Sequence, residues 1–543
     1  MVAQDSRLAE LRDAVSALSP NASDNDRSSN TAIDQEAEEQ RQRNRALANW
    51  EPGYPGERID YYEEFIQRHA DINCDWIDVP QSSNSKEGRE ATGVGVLADD
   101  GSGSKHAVAP LDDGSMCIWD ISARSTIDRG GCGRLVGHSG PGHLTGRPDV
   151  NDSHTIMTET GAVECVSIDS QSQKGYFAVQ NLLHEVDLRT LQLASTKEYP
   201  FPITTLSACS STTPLAVGTN NTVHLYDPRE PGNLSSTQAN GTGELIGGSL
   251  DSHATLSQPG PLSILHDPAS TSIWVSGRFT SLLNYDLRHF PRLLGTLHSG
   301  ARIASLTSLP HPFIPRELDL VRNPEALLSA LHAMRTAPGT TLLAAAEYKG
   351  KGSLEMYGLP GKQGYQNRQT ASASKLLSAQ PHGGRIVFSD GDGNLRWFER
   401  DCSTHVRSWN INSALPDAYP DTGDASMGGI FSSSASEMPG QGDIVQKILP
   451  IPSSSSSTSR PDLSSEPLLL WTGDGRLGML NFGQRPLAGD EAWHDAVEAQ
   501  AASAEDKAKE DAERQYGMAM RRALERNADE VRFVRGLGIG YGI

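Results

Sequence analysis

What this chain lacks narrows its chemistry before any motif is considered. It is poor in positive charge: 47 lysines and arginines stand against 68 aspartates and glutamates, a net of −21. Nucleic acids and anionic membranes are recognised by basic surfaces, so neither is expected as the main partner, although a local basic groove is compatible with the total. There is no apolar run of the roughly 18 residues that a spanning helix needs. The opening MVAQDSRLAELRDAV has no apolar signal core. Cysteines are few: Cys74, Cys117, Cys132, Cys165, Cys209 and Cys402, with no pair at C-x-x-C spacing, so no zinc site is expected. Cys117 and Cys165 fall on alternating apolar patterns and read as small core residues. Sequons such as Asn233 and Asn240 carry no weight without a secretory signal. These absences point to a cytoplasmic and/or nuclear protein with reduced thiols. Hydrophobic residues are also scarce, at 36%, which assigns much of the length to loops or disorder.

What is present is one short phrase, repeated seven times. Its fullest copy is Asp113-Gly114-Ser115-Met116-Cys117-Ile118-Trp119-Asp120: a turn pair, alternating apolar residues, then an aromatic-acid ending. Weaker copies end near Asp187, Asp227, Asp286, Gly358, Glu399 and Asn481. Between them run further period-2 segments bounded by turn residues, such as 162–168 with 175–179, and 263–266 with 272–276, which are strand signals. A recurring strand-turn-strand with this ending marks a β-propeller blade. The steps from 187 to 227 and from 358 to 399 match a blade of about 40–45 residues. The longer steps call for insertions, and residues 230–258, 310–338 (with a helix expected from Pro324 to Arg335), 410–442 and the serine run 453–457 supply them. The equivalent strand positions should be Trp119, Val186, Tyr226, Tyr285, Tyr357, Phe398 and Leu480.

The expected fold is therefore all-β, a seven-bladed WD-type β-propeller with helical N- and C-terminal extensions. Residues 1–80 form a helical and partly disordered extension, 81–105 a linker, 106–484 the propeller and 485–543 a helical tail. Helical patterns appear at 1–18, 32–48 and 57–70. The last carries Ile59, Tyr62, Phe65 and Ile66 as an apolar stripe, which should pack on the propeller because a lone helix of that length is marginal in water. From Asp490 to Arg535 the chain is rich in Ala, Glu, Arg and Gln, without an internal proline, as in a long polar helix.

Motifs with an enzymatic look have better local readings. Asp390-Gly391-Asp392-Gly393-Asn394 starts like a calcium loop but has Leu395 where the sharp turn needs glycine, so a hairpin is expected. Lys349-Gly350-Lys351-Gly352 lacks the earlier glycine of a phosphate-binding loop and reads as a surface turn. His138, Ser139 and Asp152 invite a hydrolase triad, but no G-x-S-x-G elbow is present. His138 reads as a structural histidine, with His298 and His382 in corresponding places. No catalytic residue, metal ligand or cofactor site is assigned, and the chain is not expected to be an enzyme. One recurrence is sharper: three phrases end Asp-x-Arg, at Asp187-Leu188-Arg189, Asp227-Pro228-Arg229 and Asp286-Leu287-Arg288. Arg189, Arg229 and Arg288 either make local turn contacts or present guanidinium groups at the rim for an adaptor protein.

Over roughly residues 106–484 the chain resembles the WD-repeat family, most fully at 113–120. The stretches Ile273 to Leu293, Gly295 to Leu306 and Tyr365 to Ser372 are similar to fungal F-box/WD-repeat proteins. The resemblance implies proteins as partners: a ubiquitin-ligase adaptor on one side and a substrate protein on the propeller. An F-box opens with Leu-Pro-x-Glu, and residues 1–70 contain none, so the box either lies upstream of Met1 or is missing from this member. The Asp-x-Arg endings also look like those of WD-repeat receptors for cullin-type ligases that use a propeller adaptor. The expected function is substrate recognition within such a ligase; the alternative is a non-degradative scaffold in a trafficking or ribonucleoprotein assembly.

Overall fold

Alternating apolar residues separated by glycine-bearing turns give short antiparallel hairpins, and four strands of this kind make each unit. The structure, a computed structural model, describes residues 43, 57, 61–80, 89–98, 104–122, 133–145, 163–209, 213–226, 253–258, 260–268, 270–320, 323–359, 365–413, 442–451 and 467–482. The helices expected at 1–18, 32–48 (Arg43 apart) and 490–535, the serine run and Arg229 lie outside them.

Helix α1 (Tyr61–His69) leads into strand β1 (Ile72–Trp76). Six blades then follow in chain order. Blade 1 holds β2 (Gly95–Ala98), β3 (Lys105–Pro110), β4 (Met116–Asp120) and β5 (Arg134–His138). Blade 2 holds β6 (Val163–Asp169), β7 (Lys174–Val179), β8 (Leu182–Asp187) and β9 (Gln192–Glu198). Blade 3 holds β10 (Ile203–Leu206), β11 (Ala216–Thr219), β12 (Thr222–Leu225) and β13 (His253–Thr255). Blade 4 holds β14 (Pro261–His266), β15 (Ser272–Gly277), β16 (Ser281–Asp286) and β17 (Leu293–His298). Blade 5 holds β18 (Arg302–Leu309), β19 (Thr340–Tyr348), β20 (Lys351–Leu359) and β21 (Tyr365–Ser372). Blade 6 holds β22 (Leu376–His382), β23 (Arg385–Asp390), β24 (Asn394–Glu399) and β25 (His405–Asn410).

Blade 7 is assembled from both ends of the ring. Its strands β26 (Val445–Pro450), β27 (Leu468–Thr472) and β28 (Leu477–Phe482) come last, and β1 pairs antiparallel with β28 as its outer strand. The seven-bladed propeller is thus as expected, but the sheets begin upstream of the expected start near His106. Neither β1 nor β2 carries the repeated phrase, which belongs to the third strand of a blade, so the pattern could not reveal them.

Among the described residues the propeller core consists of seven apolar clusters, one between each pair of neighbouring blades. The seven residues at the aromatic position of the phrase decide the equivalence of the blades. Trp119, Val186, Tyr226, Tyr285, Tyr357, Phe398 and Leu480 each lie in a different cluster, the one their blade shares with the blade before it. For blade 1 the preceding neighbour is blade 7: Trp119 packs with Leu469, Leu477 and Met479. Polar contacts reinforce this junction, with Trp471 Nε1 donating to the Ala91 carbonyl at 2.8 Å and Lys447 Nζ to that of Val94 at 3.2 Å.

Antiparallel connectivity sorts the loops onto two faces. Turns joining first to second and third to fourth strands open on one face, here called the lower face; turns joining second to third strands open on the upper face. The largest described lower-face excursion joins β18 to β19. It contains a 3-10 turn (Arg316–Leu318) and helix α2 (Leu328–Thr336), close to the helix expected there, with a small core of Leu320, Ala326 and Leu331.

Candidate functional site

Two of the three Asp-x-Arg endings, those of blades 2 and 4, are described, and they occupy equivalent lower-face corners just after the third strand. In blade 2 the Asp187 carboxylate accepts the Arg189 backbone N–H at 2.9 Å, and in blade 4 Asp286 accepts that of Arg288 at 2.9 Å. Asp120 does the same for Ser122 in blade 1. The aspartate is thus a turn former whose side chain replaces a backbone acceptor. The backbone N–H of Arg288, joined by His289, holds the Asp286 carboxyl below its usual value. The side chains of Arg189 and Arg288 remain exposed. The structure therefore places these two on one face, in matching positions.

In a second lower-face feature the helix was expected but the residues that dock it had no sequence signal. Helix α1 docks on blade 6, and it does so through its polar side. Glu64 accepts the backbone N–H of Gly384 and lies 3.4 Å from Arg385 Nε; Gln67 accepts a hydrogen bond from Arg385 Nη2. Arg68 makes a two-pronged contact with Glu399, its Nη2 donating at 3.1 Å, and also donates to Glu64 at 3.1 Å. Burial lowers the affinity of the Arg68 guanidinium for its proton, but Glu399 and Glu64 outweigh it and the net shift is upward. Arg407 donates to the Gln67 carbonyl at 2.8 Å, and Arg400 clasps Glu57, one bond being 2.8 Å. Of the expected apolar stripe, Phe65 is 50% exposed and Ile66 half-buried, while the polar Glu64 and Gln67 are buried against the blade. Helical spacing exposes apolar stripes to inspection, but ion pairs between residues more than 300 positions apart leave no local pattern.

The enzyme-like motifs resolve into turn chemistry. Asp390 accepts from the backbone N–H groups of Asp392 and Asn394 and from the Ser372 hydroxyl, closing the hairpin between β23 and β24. Lys349 and Gly350 both take positive φ between β19 and β20, as a tight hairpin requires. His138 Nε2 lies 3.1 Å from Arg89 Nη1, and the Ser139 hydroxyl accepts the Met116 N–H at 2.9 Å; Asp152 lies outside the described residues. Gly137 and Gly295 are in register on the outer strands β5 and β17, so His298 falls two positions beyond the place of His138. His382 differs outright: it ends an inner strand and accepts a hydrogen bond from Trp397 Nε1 at 3.1 Å. Cys117 is buried in the junction of blades 7 and 1, where desolvation pushes its thiol up to about 12. Cys165 is half-buried beside the cluster between blades 2 and 3.

In comparisons with known proteins, no family model matches the chain and no curated protein is significantly similar to it. The seven blades are consistent with a WD-repeat protein, and a β-propeller fold suggests a protein-interaction scaffold.

Proposed function

We propose that this propeller is the substrate-recognition subunit of a cullin-type ubiquitin ligase, with Arg189, Arg229 and Arg288 as adaptor-docking residues. The observation that carries the reading is the pair of exposed guanidinium groups at matching lower-face corners, each preceded by an aspartate that fixes the turn rather than neutralising the arginine. The resemblance to F-box/WD-repeat proteins read from residues 273–293, 295–306 and 365–372 implies the same role. The mechanism is positioning: the propeller holds a target while the adaptor brings the ubiquitin-transfer machinery near, which raises effective concentration without any chemistry in the blades.

Affinity purification tests it. The unmodified chain should recover a cullin-ligase adaptor, and the triple variant Arg189→Glu, Arg229→Glu, Arg288→Glu should lose it at an unchanged melting temperature. A docking arginine is worth on the order of 2 kcal/mol, roughly thirtyfold in affinity. If the unmodified chain recovers no adaptor, the ligase reading fails and the non-degradative scaffold takes its place.

A further inference from the structure

The chain carries a net charge of −21, yet blade 6 gathers three arginines under one short helix. Arg385, Arg400 and Arg407 face Glu57, Glu64 and Asp71 of the N-terminal segment. Blade 6 contributes one carboxylate to the contact, Glu399, and the segment one guanidinium, Arg68. The two surfaces are therefore complementary, basic on the propeller and acidic on the helix.

The match is incomplete. Arg385 is fully buried, but its Nη1 has no hydrogen-bond partner, its Nε has only the 3.4 Å approach to Glu64, and its Nη2 is met by the neutral amide of Gln67. Arg400 Nε is likewise unpartnered. Burial lowers the Arg385 guanidinium to about 10 even with Glu64 beside it. A buried cation with unused donors is costly, and the cost falls when another anionic acceptor is supplied. The turn beneath is already shaped around one carboxylate: a Cβ on Gly383 or Gly384 would stand 2.7 or 2.8 Å from Glu64 Oε1, so these glycines make room for the acidic side chain of the docked helix.

The helix is also poorly suited to be a permanent brace. It has nine residues, too few to be stable alone, and it docks by ion pairs whose Coulombic gain is largely offset by desolvation. We infer that the lower face of blade 6 is a docking site for an acidic helix of a partner protein, one with carboxylates three residues apart, and that α1 covers the site as an imperfect stand-in. The second carboxylate would take the place of Gln67. This inference does not depend on the ligase reading, which concerns blades 2 to 4.

The test uses the full-length chain and a fluorescein-labelled peptide with the sequence of residues 57–71 carrying Gln67→Glu. The chain variant Glu57→Lys, Glu64→Lys frees the site and should bind the peptide at least tenfold tighter than the unmodified chain. Adding Arg400→Glu should abolish that gain, and a scrambled peptide should not bind. A folded double variant that ignores the peptide, or binds it equally with Arg400→Glu, would overturn the inference. Should the double variant fail to fold, Gln67→Glu in the otherwise unmodified chain decides. It should raise the melting temperature and slow amide exchange across residues 61–69, and no change, or the opposite change, in either would overturn the inference.

Discussion

Two buried glutamates titrate in opposite directions because their donors differ. Glu355 accepts from the hydroxyls of Tyr357 at 2.6 Å, Ser299 at 2.7 Å and Ser353 at 3.2 Å, and burial outweighs these neutral donors to push its carboxyl upward. Glu185 feels burial too, but Lys174 Nζ at 2.6 Å, the Tyr226 hydroxyl at 2.7 Å and Ser195 at 2.9 Å outweigh it and hold the carboxyl below its usual value. Glu355 therefore contributes stability that is full below the unfolded value of about 4.3 and is lost as pH rises through its folded value. Glu185 contributes stability that is present above about 4.3 and is lost as pH falls through its depressed folded value. Thermal melts between pH 3 and 8 should show Glu355→Gln improving relative to the unmodified chain as pH rises, and Glu185→Gln worsening. Tyr226→Phe removes a donor to an ionised acceptor and should cost about 1.5–3 kcal/mol at pH 7, readable by denaturant melts. The sequence marked Tyr226 and Tyr357 through the aromatic position of the phrase. It could not pair Tyr226 with Glu185, since Glu185 lies in blade 2 and Tyr226 in blade 3, and the contact exists only once neighbouring blades meet; Tyr357 and Glu355 are neighbours on one strand.

At the scale of elements, α1 separates what pattern reading can and cannot reach. The helix was legible from the spacing of Ile59, Tyr62, Phe65 and Ile66, and it spans Tyr61–His69 against the expected 57–70. Its orientation was not legible, because the docking partners are Arg385, Glu399 and Arg407 in the sixth blade. Two substitutions distinguish the apolar and polar modes of docking. Phe65→Asp changes an exposed side chain and should move stability by no more than about 0.5 kcal/mol. Glu64→Ala removes the carboxylate beside Arg385 and should cost about 1–3 kcal/mol, capped by the docking energy because the helix can let go. Faster amide exchange across residues 61–69 in Glu64→Ala, with Phe65→Asp unaffected, is the expected record. The insertion helix α2 was expected from Pro324 to Arg335, and its Leu331 makes a small core with Leu320 and Ala326.

At the scale of the molecule, the ring was legible because a propeller repeats one physical problem seven times: each third strand must fill the gap toward the preceding blade. Trp119 through Leu480 solve it with side chains of different size, and the phrase is the trace they leave. The closure escaped notice because β1 and β2 face no such requirement; Ile72–Trp76 is a half-buried outer strand without turn or aromatic-acid ending. Yet the pairing of this early strand with the last blade ties the two ends of the ring together, with Asn73 opposite Asn481 and Cys74 opposite Leu480. Directly paired residues in antiparallel strands have Cα atoms about 4.5–5.5 Å apart, within reach of a disulfide. The variant Asn73→Cys, Asn481→Cys, oxidised at low protein concentration and mapped by mass spectrometry of its peptides, therefore tests the closed seven-bladed ring most directly. A bridge between positions 73 and 481 within one chain, in a monomer that melts no lower than the reduced form, is the predicted result. No bridge, or a bridge formed only between two chains, would contradict the ring closed by its own N-terminal strand.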